Sequence, residues 1–160
     1  MANVPIVSKD GVRIATAHVD DIDVERISSR RWYLNKEGYA YTVLCINLRK
    51  YWQSLHRHVL GLVPGEKRLV DHIDGDRLNC RRSNLRFATA AQNAQNIRKT
   101  RASSSRFLCV TWNKRAAKWQ ASVKLNGRSH YLGLFDSEDA AGARAASFRA
   151  KQMPFSKEAA

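Results

Sequence analysis

The chain has little from which to build a covalent or thiolate framework. Its 160 residues hold only Cys45, Cys80 and Cys109. They are odd in number, widely spaced and form no Cys-x-x-Cys pair, which argues against a disulfide scaffold and a cysteine zinc site. Long apolar runs are missing too. None approaches the ~20 residues that cross a bilayer, so no membrane partner is expected. The opening MANVPIVSKDGVRIATAHVDD lacks the basic-then-apolar order of a secretory signal, and a cytosolic protein is expected. The length allows one ordinary domain or two very small ones, and no enzyme of several large domains.

Acid is missing from one long interval. Residues 1–76 carry ten carboxylates, and then none occurs between Asp76 and Asp136. That interval holds thirteen arginines and lysines, and the whole chain carries a formal charge of +14. A polyanion is the natural partner of such a surface. A merely solvated basic face is the plain alternative. An anionic membrane fits less well, because the basic residues alternate with strand-like aromatics and no amphipathic basic helix is evident.

Local patterns divide the chain further. Asp21 is a plausible N-cap for a short helix running through Ile22, Glu25 and Ile27 to the Ser28-Ser29 pair. GYAYTVLCI and YWQSLHRHVL read as strands, and Pro64-Gly65 as a turn. Thr89-Ala90-Ala91-Gln92 fits a capping box, which puts Asn93 in the first turn of a helix. RKTRASSSR, residues 98–106, has no apolar pattern and reads as a basic linker. FLCVTW reads as one strand. From Trp119 to Leu125 apolar and polar residues alternate, giving a strand with one buried face. Asn126-Gly127 is a strong hairpin signal. A two-residue loop there pairs Leu125 with Arg128, Lys124 with Ser129 and Ser122 with Tyr131. Gln120, Ser122, Lys124, Ser129, Tyr131 and Gly133 then share a polar face. Asp136 is expected to open a final helix, with Glu138 and Asp139 in its first turn and alanines toward the sheet.

Two resemblances overlie this pattern. Leu55-His56-Arg57, Val70-Asp71-His72-Ile73-Asp74-Gly75-Asp76, Asn84-Leu85-Arg86 and Asn93 resemble the HNH endonuclease family in its histidine–asparagine–asparagine form. Residues 105–151 resemble the Apetala/ERF-type DNA-binding domain through W-N-K…K-W-Q-A, Tyr131-Leu132-Gly133-x-Phe135 and the D-S-E-D-A-A helix start. Where that family has glycine, this chain has Cys109. The pairing, with HVDDIDVERISSRRWYLNKEGYAYT ahead of it, resembles phage-type homing endonucleases.

The resemblance implies an α+β chain. A β-rich module spans residues 1–52 and a ββα nuclease motif residues 53–97. The basic linker follows at 98–106, then a three-stranded antiparallel sheet packed on one helix at 107–152 and a tail at 153–160. It implies Asp71 and Asn93 as ligands of one Mg²⁺ or Mn²⁺, His72 as the general base, and Asn84 as the residue that pins the loop and orients His72. His56 either touches the scissile phosphate or packs beside the strand. Without the resemblance, His72 reads as an ordinary loop histidine; Asp74-Gly75-Asp76 reads as turn chemistry, and Asn96 is the fallback for Asn93 as the second ligand. Double-stranded DNA is the expected partner, with no small-molecule cofactor, and no protein partner is specified. Arg106, Lys114, Arg115, Lys124, Arg128 and Tyr131 are the expected DNA contacts. A catalytically silent DNA-binding regulator and a basic RNA-binding protein are the alternatives.

Overall fold

The computed structural model describes residues 2–96 and 104–156 and divides into two compact units, residues 1–88 and 89–160. Among the described residues no helix is long and apolar enough to cross a membrane. Mixed antiparallel sheets and helices give the expected α+β class, including a three-stranded sheet packed on a helix.

The first unit opens with the hairpin β1 (Ala2–Val7) and β2 (Arg13–Val19). Val4 and Ile6 on one strand and Ala17 and Val19 on the other point inward with the period of two that a strand imposes. A 3₁₀ turn at Asp21–Asp23, preceded by Asp20, leads into α1 (Val24–Ser28), so the α-helical part begins later than expected. Then come β3 (Tyr33–Leu34), β4 (Ala40–Ile46) and β5 (Arg49–Ser54), which form one antiparallel sheet. The strand expected through residue 60 stops at Ser54. Leu55 and Val59 lie four residues apart, which matches one helical turn, and both are buried on α2 (Leu55–Val59).

The hairpin β6 (Leu69–His72) and β7 (Leu85–Ala88) completes the unit. One core takes side chains from Val4 through Trp32 and Leu55 to Leu85. Polar clamps reinforce it. Arg82 forks onto buried Asp23, with Nε to Oδ2 at 2.9 Å and Nη2 to Oδ1 at 2.7 Å, and Arg26 donates to the same carboxylate at 2.9 Å. The backbone of His18 donates to Leu78 O and accepts from Cys80 N, both at 2.8 Å.

In the second unit α3 (Ala90–Asn93) opens with the expected capping box. Thr89 Oγ1 accepts from Gln92 N at 3.2 Å, and Gln92 Oε1 accepts from Thr89 N at 2.8 Å. The strands β8 (Val110–Asn113), β9 (Lys118–Leu125) and β10 (Arg128–Phe135) lie in the order β10-β9-β8 and pack on α4 (Glu138–Gln152). Leu125–Arg128, Lys124–Ser129 and Ser122–Tyr131 pair as the Asn-Gly turn predicts.

Three details of this unit differ from expectation. The first strand starts at Val110, because Cys109 has φ +65° and breaks the extended backbone. A bulge between Tyr131 and Gly133 moves Gly133 opposite Ala121 and puts Leu134 opposite Gln120, so Gly133 leaves the polar face. The helix cap is Ser137, whose side chain accepts from Ala140 N, while Asp136 pairs with Lys118 at 3.0 Å. Ala141, Gly142 and Ala145 form the buried strip of α4. Most of the expected linker, residues 98–103 of 98–106, lies outside the described residues. Its last part is fastened to α4, where Ser105 Oγ and Arg106 N donate to Glu138 Oε1 at 2.9 and 2.8 Å.

Candidate active site

Strand alternation and cross-strand pairing build the site of the first unit. On β6 Asp71 lies opposite Arg86 of β7, and His72 opposite Leu85. Asp71 and His72 are both buried. Arg86 answers the buried carboxylate: its Nε and Nη2 donate to Asp71 Oδ2 at 2.9 and 2.8 Å. In the sequence Arg86 stands in the Asn84-Leu85-Arg86 motif and among the basic residues; its pairing with Asp71 follows only from the register of β6 and β7.

The loop between β6 and β7 is held by a closed amide–carboxylate network. Asn84 Oδ1 accepts from Asp74 N at 3.0 Å, and its Nδ2 donates to Asp74 Oδ1 at 2.9 Å and to Asn79 O at 2.8 Å. Asp74 also accepts from Asn79 Nδ2 at 2.7 Å and from Asp76 N at 2.8 Å. Burial works against the Asp74 charge, but these donors outweigh it and hold its carboxyl below the ordinary value. Gly75, with φ +70°, makes the reversal inside the loop.

Two imidazoles meet here. His56, on α2, stands edge-on to His72 with centroids 4.9 Å apart and planes at 77°. Tyr39 packs against both rings at 5.3 and 5.9 Å, and Arg77 lies over Tyr39 at 4.9 Å. Burial, then the nearby His72 and Arg57, lower His56 from 6.5 to about 3. Its Nδ1 is buried without a hydrogen-bond partner. Burial lowers His72 as well, against the opposing pull of Asp74, Asp71 and Asp76. Cys80, which carried no expected role, sits with Sγ 4.0 Å from His72 Nε2. Burial and the nearby Asp76 and Asp74 push its thiol up to about 12, so it stays protonated.

Among the described residues no three His, Cys, Asp or Glu side chains converge on a common point. Asp71 supplies hard anionic oxygen, the donor that Mg²⁺ and Mn²⁺ prefer, and Arg86 holds one of its two oxygens. This chemistry fits a hard cation held by few protein ligands, with water and substrate oxygen completing its shell. Asn93, the expected second ligand, is exposed on α3 in the second unit.

The expected DNA contacts all lie in the second unit. Lys124, exposed on β9, and Tyr131, exposed on β10, lie on the face away from α4, with Thr111, Gln120, Ser122 and Ser129. None of these is acidic. Lys114 and Arg115 are exposed in the β8–β9 turn, and Arg128 at the hairpin end. Arg106 is engaged by Glu138 and Asp139 and stacks on Phe107 at 4.9 Å, so it anchors the chain to α4.

An uncharacterized HNH endonuclease of Acanthamoeba polyphaga mimivirus is 32% identical over 117 residues, which cover 72% of this chain and 58% of that protein. Protein 3.8 of Escherichia phage T7 is 27% identical over 88 residues, 51% of this chain and 72% of its own length. The chain thus spans little more than half the length of the mimivirus protein. No solved structure gives a significant match. Residues 55–95, which carry His56, Asp71, His72, Asn84 and Asn93, match the family model described as HNH endonuclease.

Proposed function

We propose that the protein is a divalent-metal-dependent endonuclease that hydrolyses phosphodiester bonds in double-stranded DNA, with the sheet of the second unit as a separate DNA-reading surface of the ERF type. The observation that carries this reading is the buried His72, adjacent to Asp71 and kept neutral by its surroundings. A neutral imidazole accepts a proton from water as the phosphorus–oxygen bond forms. The Asn84 network fixes the loop that leaves β6 at His72, and the His56 and Tyr39 rings restrict the space around the base. Asp71 would hold the ion, and Asn93 is the second ligand proposed from the family pattern. When bound, such an ion neutralises charge on the phosphate and the leaving oxygen. The acid-free outer face of the sheet suits a phosphate backbone and groove edges. The homing-type association proposed here rests on the pairing of the two sequence patterns.

The test is cleavage of supercoiled plasmid with Mg²⁺, with Mn²⁺ and with EDTA, alongside a binding measurement. The parent should cut only with metal. His72→Ala should cut at least about a hundredfold more slowly with DNA affinity kept, because a general base acts only in the reaction. A parent inert with both metals, or a His72→Ala protein within a few-fold of it, would overturn the reading.

A further inference from the structure

The β4–β5 hairpin carries features that neither the nuclease motif nor the reading sheet uses. Its strands are joined by a two-residue turn: Ile46 pairs with Arg49, and Asn47 and Leu48 have φ +49° and +62°. Two positive values in succession belong to the turn that best matches strand twist, which asparagine and glycine normally fill. The other such turn among the described residues has that composition, Asn126-Gly127, with φ +49° and +79°. Here leucine takes the place of glycine. In that conformation the Cβ of an L-residue crowds its own carbonyl, so the backbone is strained. The strain brings no packing in return, for Leu48 is 97% exposed.

The strip leading to this tip is of the same kind. Val43 pairs with Trp52, which is 72% exposed, and Cys45 pairs with Lys50. Tyr41 and Tyr33 continue the face with their rings 5.9 Å apart. The opposite face is spent on the interior, where Thr42 and Gln53 are buried. No acid occurs between Glu37 and Glu66, and Arg49 and Lys50 flank the tip. A second copy docked symmetrically on this hairpin would set those cations against themselves. A polyanion neutralises them. Proteins that distort DNA place an apolar side chain of this kind between base steps, with cations on the adjoining phosphates.

We propose that the β4–β5 hairpin is a DNA-distorting wedge, in which Leu48 inserts between base steps of a duplex while Arg49 and Lys50 hold the flanking phosphates. The proposal rests on the reading that the substrate is double-stranded DNA. It adds that the duplex is locally untwisted when bound.

The test uses the full chain carrying His72→Ala, so that DNA stays intact, on closed-circular plasmid relaxed by a type I topoisomerase. An inserted side chain untwists the helix and shifts the religated topoisomers. The Leu48 protein should shift them in proportion to the amount bound. Leu48→Gly and Leu48→Asn both suit the left-handed turn and should melt no more than about two degrees below the parent. At equal occupancy they should give a shift at least about fivefold smaller. Equal shifts from all three proteins, or no shift from bound Leu48 protein, would overturn the wedge and leave duplex DNA as the substrate. Failure of the Leu48 protein to bind plasmid at all would remove both readings. Variants that alter self-association in sedimentation while leaving the topoisomers as in the parent would make the hairpin a contact between copies, which also overturns the proposal.

Discussion

Acidification should destabilise the first unit through His56. Its imidazole titrates at about 3 in the fold and near 6.5 when exposed. Between those values the unfolded chain binds a proton that the folded chain refuses. Stability is therefore fully present above pH 6.5 and declines as the pH falls toward 3. Each pH unit inside the window removes about 1.4 kcal/mol per such group, so going from pH 7 to pH 5 costs about 2 kcal/mol through His56 alone. His72 and His58 are lowered in the same direction, chiefly by burial, and steepen the slope. Asp74, held below its ordinary value, loses its contribution only under about pH 4, so it leaves the interval from pH 7 to pH 5 undisturbed and adds to the loss at the acid end. The assay is urea unfolding at several pH values for the parent and for His56→Phe, which keeps a ring against Tyr39 and His72 but carries no proton. The variant should lose about 2 kcal/mol less than the parent between pH 7 and pH 5. Equal losses would refute the assignment of a buried, neutral His56.

Other outcomes follow from the packing and the charge distribution. Arg86→Met should cost about 3 kcal/mol in urea unfolding, because it removes the guanidinium paired with the buried Asp71 carboxylate, and Asp71→Asn added to it should restore most of the loss; a single variant within about 0.5 kcal/mol of the parent would contradict this. Gly142→Ala should cost about 1–3 kcal/mol, since a Cβ there would lie 2.5–2.7 Å from the Phe107 ring, and an unchanged thermal midpoint would contradict it. Lys114→Ala and Arg115→Ala should each weaken binding to all duplexes and lower the salt slope by about one, whereas Lys124→Ala should cost about 1–3 kcal/mol on the preferred sequence only. Binding titrations against salt on preferred and scrambled duplexes decide between these behaviours.

The sequence was most legible where one residue pair dictates geometry. Asn126-Gly127 fixed the register of β9 and β10 because a two-residue turn leaves no other pairing. Thr89 and Gln92 marked the start of α3 because their reciprocal bonds need only local spacing. Legibility failed where tertiary contacts decide. Leu55 to Val59 form a single helical turn, too short for periodicity to separate from a strand, and the surrounding core settles it. The bulge at Leu132 depends on Gly133 adopting φ +124°, which no pattern announces. Cys109 stands where the ERF pattern has glycine, and φ +65° supplies the reason for the glycine. In the site, the side chains of Asp71, His72 and Asn84 were read from their motif. The environment that lowers His72 was not, because its neighbours His56, Tyr39 and Cys80 come from three other segments.

The Arg82–Asp23 clamp and the pairing of His18 with Leu78 and Cys80 join residues about sixty positions apart. A ribosome delivers the chain from the N-terminus at roughly 5–20 residues per second. The β1–β2 hairpin therefore emerges seconds before the segment it must grip. During that interval Asp23 has only Arg26 beside it in the sequence, and the loop that will hold Asn84 does not yet exist outside the tunnel. Closing so long a span is entropically costly, and the reward comes only when residues 78–85 arrive together. Biosynthesis thus imposes an order within the first unit: the β6–β7 hairpin closes last, in one step, on a scaffold that has been waiting for it.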